Sequence, residues 1–154
     1  MIGIGKVMSI ESVTNNELTW INIQKPTHEI MNVIGKRYNF HELNIEDSLS
    51  KIQIPKIDKY EDHFFMTLHF PIKEKNHEEN NSSPRISQLS IFAVADYLLT
   101  MHQGDLKPLV DMFQSCNSNQ EKRNTIMGKS SGYLLHSIID ALVDDLFHIL
   151  STKH

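Results

Sequence analysis

The sequence predicts an α/β fold in which a mixed sheet is sandwiched between helices, a single αβα domain that ends in a long helix. Three observations carry this. Stretches with period-two alternation are interspersed with stretches of 3.6-residue apolar period, so strands and helices share the chain. The chain has 154 residues, 40% of them hydrophobic, enough for one core and one domain. Its strongest pattern is the amphipathic run from Ser131 to Leu150, and helices mixed with strands over one core imply a sheet covered by helices.

Ile4 to Ile10 and Leu18 to Ile23 form an opening strand pair around the turn-prone Thr14-Asn15-Asn16. Pro26 and Thr27 then start a helix, with Glu29 in its first turn and Ile30, Met31, Ile34 and Tyr38 on one face. A second short helix covers Phe40 to Leu49, ends before Pro55, and projects Glu46 and Asp47 from neighbouring positions. Lys56 to Ile72 alternates and is expected to form one long strand. Its apolar face is Phe64, Met66, Leu68 and Phe70, and its other face, with His63 and His69, is expected at the sheet surface. Lys73 to Pro84 is polar and predicts an exposed loop, and Ile86 to Ala95 with Tyr97 to His102 predicts a hairpin around Asp96.

Asp105 is the expected N-cap of a helix with Leu106, Leu109, Val110 and Phe113 on one face, which the polar stretch Ser115 to Asn124 closes. In the last helix, Leu134, Leu135, Ile138, Ile139, Leu142, Val143, Leu146, Phe147 and Leu150 keep the apolar period. His136, Asp140, Asp144 and His148 form a polar row at i, i+4 spacing. No Gly, Asn or Pro follows Leu150 as a stop signal, so the pattern predicts a continuation beyond His154.

Composition excludes several function classes. Fifteen Lys and Arg against nineteen Asp and Glu leave the chain slightly acidic, without the basic patch that nucleic-acid binding requires. The lone Cys116 excludes an internal disulfide and a cysteine-rich zinc site, and fits a reducing compartment. Neither a signal peptide nor an apolar run of membrane-spanning length is present. Gly3 and Gly5 open no phosphate loop, Cys116 sits in a polar stretch without a local His or Asp partner, and no His-Glu-x-x-His array occurs. His63 and His69, roughly 20 Å apart along an extended strand, could not share an ion. An enzyme is therefore not expected.

The carboxylates offer more. Mg²⁺ binds through one or two carboxylates while keeping waters, and Glu46/Asp47 and Asp140/Asp144/Asp145 are the groups that could supply them. Taken alone, each is more often a solvated helix face than a ligand set. His136/Asp140 or Asp144/His148 would suit a softer ion, but two ligands make a weak site.

A distributed set of segments goes further: Thr19-Trp20-Ile21-Asn22-Ile23, Phe40-His41-Glu42-Leu43, Ile45-Glu46-Asp47-Ser48, Pro55-Lys56-Ile57-Asp58 with Tyr60 and Phe64, Tyr97-Leu98-Leu99-Thr100-Met101-His102, and Ile138-Ile139-Asp140-Ala141-Leu142-Val143-Asp144-Asp145. In order and spacing the chain resembles the N-terminal cytoplasmic domain of the CorA family of magnesium and cobalt transporters. The resemblance implies a mixed sheet between helices, hung below a membrane pore in a homopentamer at the cytoplasmic face of the membrane. It also implies weakly bound regulatory Mg²⁺, with Co²⁺ or Zn²⁺ as alternatives, between neighbouring domains, where the ion holds the pore closed. Matched by position, Glu46, Asp47 and Asp140 are the metal-site residues.

Two departures qualify the match. The rest of the stalk helix, the transmembrane helices and the Gly-Met-Asn signature are missing, and with them the aspartate that completes the family's site. Ile52 stands where some members carry His. Residues 1–154 are thus expected to be the regulatory domain of such a transporter, reaching the membrane only through a missing C-terminal part. The zinc-transporting ZntB branch is the alternative that the His136/Asp140/Asp144/His148 row leaves open. A self-contained soluble binding module is the other, and reading the gene past His154 separates it from a transporter.

Overall fold

The computed structural model describes residues 9–72 and 85–151; the expected loop at 73–84, the start of the first expected strand and the last three residues lie outside them. Six strands form one sheet in the order β1-β2-β6-β5-β4-β3: β1 (Ser9–Asn15), β2 (Leu18–Gln24), β3 (Lys56–Lys59), β4 (His63–Ile72), β5 (Arg85–Val94) and β6 (Tyr97–His102). Among the described residues only β2 and β6 pair in parallel, with Trp20 opposite Leu98, and the other neighbouring pairs are antiparallel. The helices are α1 (His28–Tyr38), α2 (Glu42–Leu49), α3 (Lys107–Ser118), α4 (Gln120–Met127) and α5 (Ser131–Ser151). The mixed sheet between two helical layers is the predicted αβα fold.

Alternation along the strands divides the interior into two cores. On one face, Trp20, Met66, Leu89, Ile91 and Leu98 meet α3 through Leu109 and Phe113, α4 through Met127, and α5 through Leu134, Ile138 and Leu142. On the other, Ile23, Phe65, Phe92, Leu99 and Met101 meet α1 through Met31 and Ile34, α2 through Ile45, and the intervening Phe40. Burying each such side chain contributes roughly 1.5–3 kcal/mol.

Local chemistry sets the α1 and α2 ends. Thr27 Oγ1 accepts the Ile30 N–H at 3.3 Å as the α1 N-cap, and Asn39 closes the helix in the left-handed region at φ 58°. His41 Nδ1 accepts the Leu43 N–H at 3.0 Å to open α2.

The structure departs from expectation at seven places. Phe64, expected on the apolar face of its strand, is exposed, while Phe65 and Thr67 on the face expected at the surface are buried. β1 runs on to Asn15, and the turn falls at Asn16, whose φ of 57° an asparagine tolerates. Lys56 to Ile72 is two strands, β3 and β4, joined through Tyr60 to Asp62, with the Tyr60 N–H donating to the His63 carbonyl at 2.8 Å. His63 is buried rather than at the surface, because Phe40, Tyr60 and Phe92 enclose its ring. Asp105 does not cap α3: it accepts from Arg85 at 2.9 Å and from Ser87 at 2.5 Å, leaving Leu106 at the cap position. The stretch Ser115 to Asn124 is helical, carrying α3 to Ser118 and then α4, which Asn119 caps by accepting the Lys122 N–H at 3.0 Å. Cys116, expected in a polar turn, is fully buried in α3, where burial pushes its thiol up to about 11 and leaves it a core residue rather than a nucleophile.

Candidate functional site

Glu46 and Asp47 occupy the last turn of α2. Asn44, Ile45 and Ser48 face inward, so the helical period turns Glu46 outward and leaves Asp47 half-buried at the margin. One side chain pins this turn to the sheet. Gln88 of β5 donates through Nε2 to the Asp47 carbonyl at 3.1 Å and to the Ser50 carbonyl at 2.8 Å, while its Oε1 accepts the Ile52 N–H at 2.9 Å.

Asp47 is not a bare carboxylate. Lys56 Nζ lies 2.5 Å from its Oδ2 and 3.2 Å from Oδ2 of Asp58. Lys56 and Asp58 are two residues apart on β3 and so share the sheet face that α2 covers, and Asp58 is paired in register with Phe65 of that same core. The hydrogen bond to Asp47 holds the Lys56 ammonium above the ordinary lysine range, against the opposing effect of partial burial. In the sequence Lys56 and Asp58 stand out only as part of the segment Pro55-Lys56-Ile57-Asp58, with no role at the site. The i, i+2 spacing of Lys56 and Asp58 was the available signal, whereas the contact with Asp47 is tertiary.

Asp140 is exposed on α5, on the opposite side of the sheet from α2. Within one chain the structure brings Glu46 and Asp47 together and does not bring Asp140 to them. His136, Asp144 and His148 are also exposed, as the polar row predicts. A cleft of about 730 Å³ opens between α3 and the end of α5, with Asp145 and His148 among its walls, but Asp140 is not part of it. Among the described residues, no group of three or more His, Cys, Asp and Glu side chains could hold a metal ion, and no helix is long and apolar enough to cross a membrane. Oxygen donors are the right chemistry for a hard divalent cation such as Mg²⁺, but the described residues of one chain do not gather three such side chains.

The class defined by these features is a helix–sheet–helix domain whose acidic groups are divided between its two helical layers. The chain belongs to the CorA family: the family model for CorA-like Mg²⁺ transporter proteins matches residues 15–153. It is 30% identical over 151 residues to the cobalt/magnesium transport protein CorA of Thermotoga maritima, a match that covers 94% of this chain and 41% of that protein. The chain therefore spans about two fifths of the length of that relative. The soluble domain of CorA from Methanocaldococcus jannaschii superimposes with a TM-score of 0.68 at 18% identity, covering 98% of this chain and 61% of the other. The ZntB cytoplasmic domain from Vibrio parahaemolyticus gives 0.64 at 18% identity, covering 88% and 51%. These two structures share the fold.

Proposed function

We propose that this chain is the cytoplasmic divalent-metal-sensing domain of a CorA-like transporter of Mg²⁺ and Co²⁺, and that it regulates the pore through metal bound between subunits. The observation that carries the reading is the division of the acidic groups: Glu46 and Asp47 on one layer, Asp140 on the other. A ring of copies, a homopentamer as in the family, can present the α2 edge of one subunit to α5 of the next. Lys56 offsets only one of the charges of Asp47 and Asp58, so negative charge still faces negative charge across that boundary, and a bridging Mg²⁺ with its waters turns repulsion into a tie. Moving a two-state equilibrium from 1:99 to 99:1 takes about 5.5 kcal/mol, so five equivalent boundaries need about 1 kcal/mol each. Weak sites are enough, and weakness lets them follow a changing concentration. The exposed row His136/Asp140/Asp144/His148 offers imidazole beside carboxylate, the donor set behind the zinc-transporting alternative.

The test is a Mg²⁺ titration of the protein as its gene encodes it, read by subunit exchange or sedimentation, beside D47N and D140N. Each substitution is expected to weaken metal-dependent assembly severalfold. Unchanged assembly in both variants would show that the metal binds elsewhere.

A further inference from the structure

We propose that Lys56 is a tethered cation that competes with a divalent ion for Asp47, and that Asp58 receives its ammonium group when metal displaces it. This rests on the assignment of Asp47 as a metal ligand in the preceding section.

Lys56 Nζ bridges two carboxylates, at 2.5 Å from Asp47 and 3.2 Å from Asp58. It is held there from several directions: its side chain is 28% exposed, the Asp47 side chain 21%, and Nζ lies 5.6 Å from the centroid of the Phe65 ring. A divalent cation bound to Asp47 would stand within a few ångströms of this ammonium, and two like charges at that separation repel strongly in a partly dehydrated site. The ammonium has to leave for the ion to bind. Complete release would cost the pair its remaining attraction, but Asp58 is already within ion-pair distance on the same strand face, so a small change of lysine rotamer keeps the charge paired. Metal binding therefore exchanges an Asp47–Lys56–Asp58 bridge for metal on Asp47 and Lys56 on Asp58. With Lys56 in place the site stays unresponsive at low metal concentration, and the balance between the two aspartates sets the threshold.

The experiment is a calorimetric titration with Mg²⁺ alone, on the protein as its gene encodes it, comparing the natural sequence with K56M, K56Q, K56R, D58N, K56M/D58N and D47N. A half-buried pair near the surface contributes about 1 kcal/mol, so K56M and K56Q are expected to lower the half-saturating Mg²⁺ concentration about fivefold. K56R keeps a cation between the carboxylates and stays at or above the natural midpoint. D58N leaves the ammonium only Asp47 and raises the midpoint about twofold, while K56M/D58N behaves as K56M does. Thermal unfolding of each variant separates this from a purely structural ion pair, whose loss would lower stability without tightening metal binding. If D47N titrates like the natural sequence, Asp47 is not the ligand and the underlying assignment fails. If D47N abolishes the response while K56M and K56Q keep the natural midpoint, the assignment stands and the tethered-cation role of Lys56 is overturned.

Discussion

At the scale of single residues, the best-determined chemistry lies in a buried polar chain under α3 rather than among the surface carboxylates. Trp20 donates to Thr100 at 3.0 Å, Thr100 donates to Asn22 at 2.7 Å, and His102 Nε2 donates to the same Asn22 oxygen at 2.9 Å. His102 Nδ1 in turn accepts the Gly104 N–H at 2.9 Å, which Gly104 can offer because glycine tolerates its φ of 90°. Both ring nitrogens are committed in the neutral form. Burial pushes His102 down to about 4 from an ordinary value of 6.5, so the unfolded chain takes up a proton before the folded one does. Its contribution to stability is complete above about pH 6.5 and is lost as pH falls toward 4, by about 3 kcal/mol over the window. Chemical denaturation at pH 7 and pH 4.5 checks this: the natural chain should lose more stability on acidification than H102Q, and equal losses would exclude His102 as the cause. None of this was legible in the sequence, where His102 simply closes a strand. The same holds for His63 and Cys116, because burial of a polar side chain is decided by neighbours distant in the chain.

At the scale of elements, period and punctuation placed most helices and strands correctly, and the misses have physical reasons. Alternation continues across Tyr60, Glu61 and Asp62 without Gly, Pro or Asn, so one long strand and a hairpin read alike. Helix α4 buries only Met127 and is otherwise polar, so it carries almost no apolar period to detect. Helix α2 was found, but the device that fixes its end was not. Gln88 stands 38 residues beyond Ser50, whose carbonyl it holds, and local sequence holds no trace of that bond. Losing the Gln88 amide would hand the Asp47 and Ser50 carbonyls and the Ile52 N–H, none of them fully buried, to water, at a net cost of about 0.5–1.5 kcal/mol for each hydrogen bond. Q88A is accordingly expected to speed amide hydrogen exchange across residues 47–52 while β5 and β6 stay protected. Uniform exchange along the whole chain would mean that Gln88 supports the fold rather than this turn.

At the scale of the whole molecule, the two helical layers pack on opposite faces of the sheet, yet they rest on the same strands. Phe65 and Met66 are neighbours on β4 that point into opposite cores, as do Ile91 and Phe92 on β5 and Leu98 and Leu99 on β6. Loss of either layer would expose one side of all three strands, so the cores are expected to unfold as one cooperative unit. This coupling also makes the division of acidic groups compatible with a rigid domain: Asp47 and Asp140 are separated by the sheet but held by one folding unit. Met31 and Trp20 provide the means of testing it. Met31 is fully buried under α1, while Trp20, the only tryptophan, is fully buried in the opposite core against Phe113, with ring centroids 5.0 Å apart. M31A should destabilise by about 2–5 kcal/mol through the cavity it leaves. If the layers are coupled, the denaturation midpoint reported by Trp20 fluorescence falls together with that reported by far-ultraviolet circular dichroism. A Trp20 transition that stayed at the natural midpoint while the dichroism shifted would show that the α1–α2 layer unfolds on its own.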